Sequence, residues 1–166
     1  MAPLTRTNTT VLLVCEGYAE VEWVRVIRDL YLPRGCGISL RPENRRGYGG
    51  AAALTLAVQR RREGEYDRVG VVVDTDQHWG DAQRQTAIEN GITAIECIPC
   101  MEAMLLSVDG QPTHDRTADN KNAFERKYGG PANRPGVIRR HFPRAKFDDA
   151  RSRVFAVDRC LTLLNL

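Results

Sequence analysis

Short continuous apolar runs alternate along this chain with longer segments whose apolar residues recur every three or four positions. "TTVLLVC" at 9–15 is a run of strand length bounded by polar residues and predicts a first strand. "AEVEWVRVIRDLYL" follows, with Val21, Val24, Ile27 and Leu30/Tyr31 at helical spacing, and Pro33 and Gly35 stop it. "GISLRP" at 37–42 predicts a short second strand. "YGGAAALTLAVQRRREG" at 48–64 predicts a helix opened by a glycine pair and closed by Gly64. "YDRVGVVVD" at 66–74 predicts a third strand, continuously apolar from Val69 except at Gly70, as a strand covered on both faces should be. A polar helix at 80–91, a fourth strand "ITAIECI" and a short apolar helix "CMEAMLLSV" after Pro99 complete the pattern. Four βα units in succession predict an α/β, Rossmann-like fold with a mostly parallel sheet flanked by helices.

Beyond Gly110 the pattern changes. "DGQPTHDRTADN" reads as a polar loop, and "TADNKNAFERKYGG" as a helix capped by Thr117 or Asp119 and stopped by a glycine pair. Residues 131–147 are broken by Pro131, Pro135 and Pro143. "DDARSRVFAVDRCLTLLNL" reads as one amphipathic C-terminal helix with acidic residues in its first turn. At 166 residues the chain reads as a single domain, its core at about 9–110 and a helical C-terminal extension at about 111–166 packed on that core. No apolar run approaches the roughly 20 residues that cross a bilayer. The opening stretch ends its apolar run in a glutamate, unlike a secretory signal, so a cytoplasmic protein with no membrane partner is expected.

Charge adds an asymmetry. Residues 111–166 carry 12 of the 24 Lys+Arg but only 6 of the 21 Asp+Glu. Only Lys121, Lys127 and Lys146 are lysines, so 21 of the basic residues are arginine, whose planar fork suits phosphate. The five cysteines suggest no disulfide framework. "CIPC" at 97–100 lacks the second Cys or His pair that zinc needs and reads as ordinary buried thiols.

The candidate chemistry lies where strands should end. In a parallel sheet every C-terminal strand end shares one edge, and sites form there. The first strand ends in Cys15-Glu16-Gly17, the third in Asp74-Thr75-Asp76, and the fourth leads to Glu102. Residues i and i+2 of a strand point to one face, so Asp74 and Asp76 would address one ion, with Glu16 in reach from the neighbouring strand. Such hard oxygen ligands suit Mg²⁺ or Mn²⁺, which bind phosphate and polarise a phosphodiester. Glu20 would face the site from the first turn of the first helix, while Glu22 would be solvated. Arg45 and Arg46, before the "GYGG" turn, make a backbone-binding loop. Arg139, Arg140, Arg144 and Lys146 interleave with Phe142 in a pattern suited to single-stranded nucleic acid. His78, beside the acidic pair, would either touch a metal-bound water or phosphate or be incidental there, while His114 reads as loop and Trp23 and Trp79 are too isolated to carry a reading.

This order of motifs resembles the TOPRIM superfamily, in which a glutamate-glycine after the first strand and a DxD after a later one form a metal site. "VLLVCEGYAEVEW" and "VGVVVDTDQ" match those two motifs. The RloB-like branch, associated with bacterial restriction and phage-defence loci, is more similar still. Its "cEGxxTE" start, tyrosine-aspartate and Pro-x-Phe-Glu segment read here as "CEGYAE" at 15–20, "YDRVGVVVDTD" at 66–76 and "PCMEAMLL" at 99–106. The resemblance covers residues 10–107. Ala19, Met101 and Gln77 depart from it, standing for a threonine, a phenylalanine and a frequent acidic residue.

The resemblance implies a Mg²⁺-dependent nuclease, with Glu16 assisting proton transfer, Asp74 and Asp76 holding the metal, and Glu20 and Glu102 as auxiliary acids. Implied partners are DNA or RNA, with a partner ATPase or a second copy of the chain. Two alternatives remain at this point. One is a non-catalytic subunit of the same fold that binds nucleic acid or an ATPase. The other is a haloacid-dehalogenase-type phosphotransferase, which also uses a DxD, but after its first strand.

Overall fold

The computed structural model describes residues 8–166; residues 1–7, part of the stretch that argued against a secretory signal, lie outside the described residues. Four strands, β1 (Thr9–Cys15), β2 (Ile38–Asn44), β3 (Arg68–Asp74) and β4 (Thr93–Cys97), form one sheet in the order β2-β1-β3-β4. Every pairing is parallel, with Leu13 opposite Pro42 on one side and Gly70 on the other. Pro42 thus lies inside a strand, which runs two residues past the predicted end. The edge position explains this, because a proline there forfeits no ladder bond on the open side.

The two inner strands alternate between two cores, which is why they read as unbroken apolar runs. Leu12, Val14, Val71 and Val73 face α2 (Gly49–Glu63) and α3 (Asp81–Glu89), where Ala53, Leu54, Ala57 and Ala87 meet them. Val11, Leu13, Cys15 and Val72 face a larger core built with α1 (Tyr18–Tyr31) and α4 (Met101–Val108). The extension fills that second core from outside through α5 (Thr117–Tyr128), α6 (Val137–His141), α7 (Arg144–Ala150) and α8 (Phe155–Leu163). Phe124, Phe142, Phe147 and Leu161 are essentially fully buried there. Gly70 marks where α8 seats on the sheet: a Cβ would lie 2.8 Å from Leu13 Cδ2, 2.9 Å from the Thr93 carbonyl and 3.0 Å from Leu163 Cδ2. The extension is therefore packed on the α/β core, as its apolar spacing required.

The single C-terminal helix expected over 148–166 is two helices. α7 begins at Arg144, directly after Pro143, so Asp148 and Asp149 lie in its last turn rather than a first one. Residues 151–153 form a turn, and α8 starts after it. The break is a tertiary effect. The Arg153 guanidinium donates to the carbonyls of Ser107 and Val108 at the end of α4, satisfying acceptors that a helix end leaves open. Nothing in the local sequence, neither Pro nor Gly, signals that turn. Among the described residues, no helix is long and apolar enough to cross a membrane.

Candidate functional site

The C-terminal ends of β1, β3 and β4 share one edge of the sheet, and their loops are laced together there. Arg45 N–H donates to the Cys15 carbonyl (2.8 Å) and Gly47 N–H to the Glu16 carbonyl (2.7 Å), holding the loop after β2 against the end of β1. Thr75 N–H and Asp76 N–H donate to the Pro99 carbonyl (3.0 and 3.2 Å), joining the loops after β3 and β4. His78 and Trp79 then pack on the glycine pair of α2: a Cβ at either Gly49 or Gly50 would stand 3.0 Å from those rings. The "GYGG" stretch is thus a turn with close packing, as expected.

Four elements, β1, α1, β3 and α4, bring carboxylates into this edge. Glu16 leaves β1 and accepts the Asp74 N–H on Oε2 (3.0 Å), so the first strand's glutamate and the third strand's aspartate are in direct contact. Glu20 turns back within the first turn of α1 to accept the Gly17 N–H (2.9 Å) and is only 5% exposed. Asp74 Oδ1 accepts the Met101 N–H (2.9 Å) at the start of α4, which also carries the buried Glu102. A cavity of about 360 Å³ opens between them, lined by Glu16, Glu20, Asp74 and Glu102, with Lys121 and Glu125 from α5.

Asp76 sits differently. β3 ends at Asp74, so Asp76 lies in a bend beyond the strand, where the i, i+2 rule no longer sets direction. Its Oδ2 accepts the Thr117 hydroxyl (2.6 Å), and its side chain is exposed. Thr117 therefore serves Asp76 and not, as expected, the cap of α5, whose N-cap position is Arg116. Glu22, expected in solvent, pairs with Arg25 (2.7 Å).

Crowding of like charges shapes the electrostatics. Burial, with Glu20, Glu16, Glu102 and Asp76 around it, pushes the Asp74 carboxyl up to about 10. Burial, reinforced by Glu16 and Glu102, raises Glu20 to about 7. Burial also raises Glu16, with Asp76 adding to it and the Asp74 N–H opposing. Lys121 answers the same field: burial alone would lower it, yet Glu102 and Asp74 outweigh that and raise it. Glu16, Glu20 and Asp74 each spend an oxygen on a backbone N–H group, and among the described residues the only cation lining the cavity is Lys121.

The donor chemistry fits a hard divalent cation: all-oxygen, acidic, partly buried and under-compensated. The arrangement is less complete. Among the described residues, no three His, Cys, Asp or Glu side chains are grouped as metal ligands. The physical reason is visible in the partners: Glu16 turns to the Asp74 N–H, Asp74 to α4 and Asp76 to α5.

The basic residues divide. Arg45 and Arg46 lie at this edge, with Arg45 over the Tyr48 ring at 4.9 Å. Arg139 pairs with Asp29, Arg144 lies over the Tyr31 ring at 4.6 Å and pairs with Asp148, and Lys146 pairs with Asp109. Asp29 and Tyr31 end α1, roughly 14 Å or more along the helix axis from Glu20 at 1.5 Å per residue. Arg140 is exposed on the same short helix as Arg139. Phe142 is fully buried among Phe124, Tyr128 and Phe147 and offers no face for a base. This corrects the expected aromatic-basic nucleic-acid surface, whose aromatic belongs to the core. Cys97 and Cys100 are buried free thiols, as expected.

Sequence reasoning missed Lys121 and Glu125. Their i, i+4 spacing puts them on one face of α5, but only the packing of the extension shows that this face looks into the cavity. Comparison with protein-family models, with curated proteins and with solved structures finds no match.

Proposed function

We propose that this protein is a Mg²⁺- or Mn²⁺-dependent phosphodiester hydrolase of the TOPRIM type, similar to the RloB-like branch and acting on DNA or RNA in bacterial phage defence. One observation carries the reading. Glu16, Asp74, Glu20 and Glu102, drawn from the ends of different elements, line a single cavity at the sheet edge with more negative charge than Lys121 balances. Four carboxylates kept this close are costly unless a cation or protons relieve them.

Asp74, with Glu16 beside it, would hold the ion from within the cavity, and Asp76 would join them by exchanging its Thr117 hydrogen bond for the ion. When bound, it would polarise the phosphodiester and offset charge on the leaving oxygen. Glu16 has its Oε2 engaged by the Asp74 N–H, which leaves Oε1 to take a proton from the attacking water. Glu20 and Glu102 tune the field around Asp74 from behind. Lys121 faces the same cavity and suits a phosphate oxygen. The direct test is incubation of the full chain with labelled DNA and RNA in Mg²⁺ or Mn²⁺, beside a Glu16→Gln variant. Cleavage by the parent and loss of at least about a hundredfold in the variant is the expected result, the scale of one general base. Undiminished cleavage in Glu16→Gln rejects the assignment.

A second reading draws on the hydrogen bonds of the aspartates. Because Asp74 and Asp76 tie down the starts of α4 and α5, a non-catalytic subunit that binds nucleic acid or a partner ATPase would retain them for folding alone. It predicts no cleavage with any metal. The phosphotransferase alternative gains Lys121 as a neighbouring lysine. Yet it places its DxD after the first strand, whereas Asp74 ends the third. A trapped aspartyl-phosphate on Asp74 would favour it.

A further inference from the structure

The sheet edge carries two exposed tyrosines, one lining the acidic cavity and one in a neighbouring groove of about 430 Å³. Tyr18, the first residue of α1, lines the cavity yet is 62% exposed. Tyr48, at the start of α2, is 70% exposed and belongs to the loop whose Gly47 also lines the cavity. Each ring leaves apolar area in water that a stacked partner would bury, at about 25 cal/mol per Å². Arg45, its guanidinium over the Tyr48 ring at 4.9 Å, and exposed Arg46 line the same groove as Tyr48. Neither arginine has a carboxylate within 4.0 Å among the described residues, unlike Arg139, Arg144 and Lys146. Arg46 also holds φ at +63, a conformation that non-glycine residues seldom take, with its N–H bonded to Asn44 Oδ1 (2.7 Å). That turn sits at the margin of the cavity, which Gly47 lines, and backbone outliers of this kind concentrate at ligand sites.

We propose that the ligand of this edge is a single-stranded polynucleotide, its bases stacked on Tyr18 and Tyr48 and its phosphates held by Arg45 and Arg46. This rests on the reading of the edge as a polynucleotide site and names its substrate class. The alternative of a duplex fits poorly. Duplex affinity comes mainly from many phosphate contacts, and the unpaired cations at this edge are few. Stacking needs bases whose faces are free, which a duplex hides, and it tolerates any sequence because every base has a π-face.

Fluorescence anisotropy of the full chain with labelled oligothymidine, oligouridine and the matching hairpin duplex, in EDTA and again in Ca²⁺, tests this. Single strands bind at least about tenfold tighter than the hairpin. Tyr18→Ala and Tyr48→Ala each weaken single-strand binding by roughly 5- to 140-fold, the equivalent of losing one stacked base. Tyr18→Phe and Tyr48→Phe keep the ring and stay near the parent. The thymidine and uridine arms distinguish DNA from RNA. Equal or tighter hairpin binding, binding indifferent to the alanine changes, phenylalanine variants as weak as the alanines, or no binding to any probe each overturn the inference. Glu16-dependent cleavage without tyrosine dependence overturns it and leaves the hydrolase standing. Tyrosine-dependent single-strand binding with no cleavage in any metal sustains it and removes the hydrolase.

Discussion

The acidic edge of the sheet and the basic extension carry opposite charges, but the larger difference is how those charges are spent. In the extension and along its contacts, charges close in pairs: Arg139 with Asp29, Arg144 with Asp148, Lys146 with Asp109, Arg151 with Asp158 and Arg153 with Asp149. At the edge, Glu16, Glu20, Asp74 and Glu102 crowd one cavity with a lone lysine, and each leans on backbone N–H groups or on none. Pairs on a surface mostly hold structure and contribute little energy. Under-compensated charge that folding gathers in a cleft is the feature that marks a candidate functional site.

Four changes break or sharpen this contrast. The largest falls on the extension as a structural element: Phe142→Ala should cost about 3–5 kcal/mol in denaturant unfolding, because that ring is fully buried among other aromatics. Were Phe142 a nucleic-acid contact instead, stability would hold and binding would fall. Next, Mg²⁺ at about a hundredfold its dissociation constant should add about 2.7 kcal/mol of stability by mass action, read as a rise in Tm. The rise should be larger at pH 8 than at pH 5, since protons compete for the same carboxylates.

The third concerns pH without metal. The folded pKa values of Glu20 and Asp74 lie at about 7 and about 10, above the unfolded values near 4.3 and 3.9. The native state then binds more protons, so the stability contributed by these groups is full below about pH 4 and lost as pH rises through the folded values. In EDTA the Tm should therefore fall between pH 5 and pH 8. Asp74→Asn, which keeps an oxygen for the Met101 N–H, should flatten that fall and raise the Tm at pH 8 by about 2–4 °C for each kcal/mol of repulsion relieved. A steeper fall in the variant would count against the crowding. The smallest effect is Arg139→Ala, expected at about 0–1 kcal/mol, with oligonucleotide binding unchanged.

Much of the fold was legible because the inner strands are buried on both faces and write that fact as "VLLV" and "VGVVVD". Gly64 and Gly129 ended their helices in left-handed caps where the pattern placed them. The shared edge of Glu16 and Asp74 followed from parallel topology alone. What stayed hidden depends on tertiary contact: Arg153 reaching α4 to break the last helix, Thr117 diverted to Asp76, and Lys121 turned into the cavity. Phe142 misled because a buried aromatic and a stacking one look identical between arginines; only the packing against Phe124 and Phe147 tells them apart.

The account stands on a divalent ion settling among the carboxylates of the sheet edge. Titration of the full chain with Mn²⁺, following the free ion by electron paramagnetic resonance, addresses this without requiring any reaction. Saturable binding that disappears in Asp74→Asn and Glu16→Gln but persists in Arg139→Ala is the predicted result. Mn²⁺ that fails to bind saturably, or binds those two carboxylate variants as well as the parent, contradicts it.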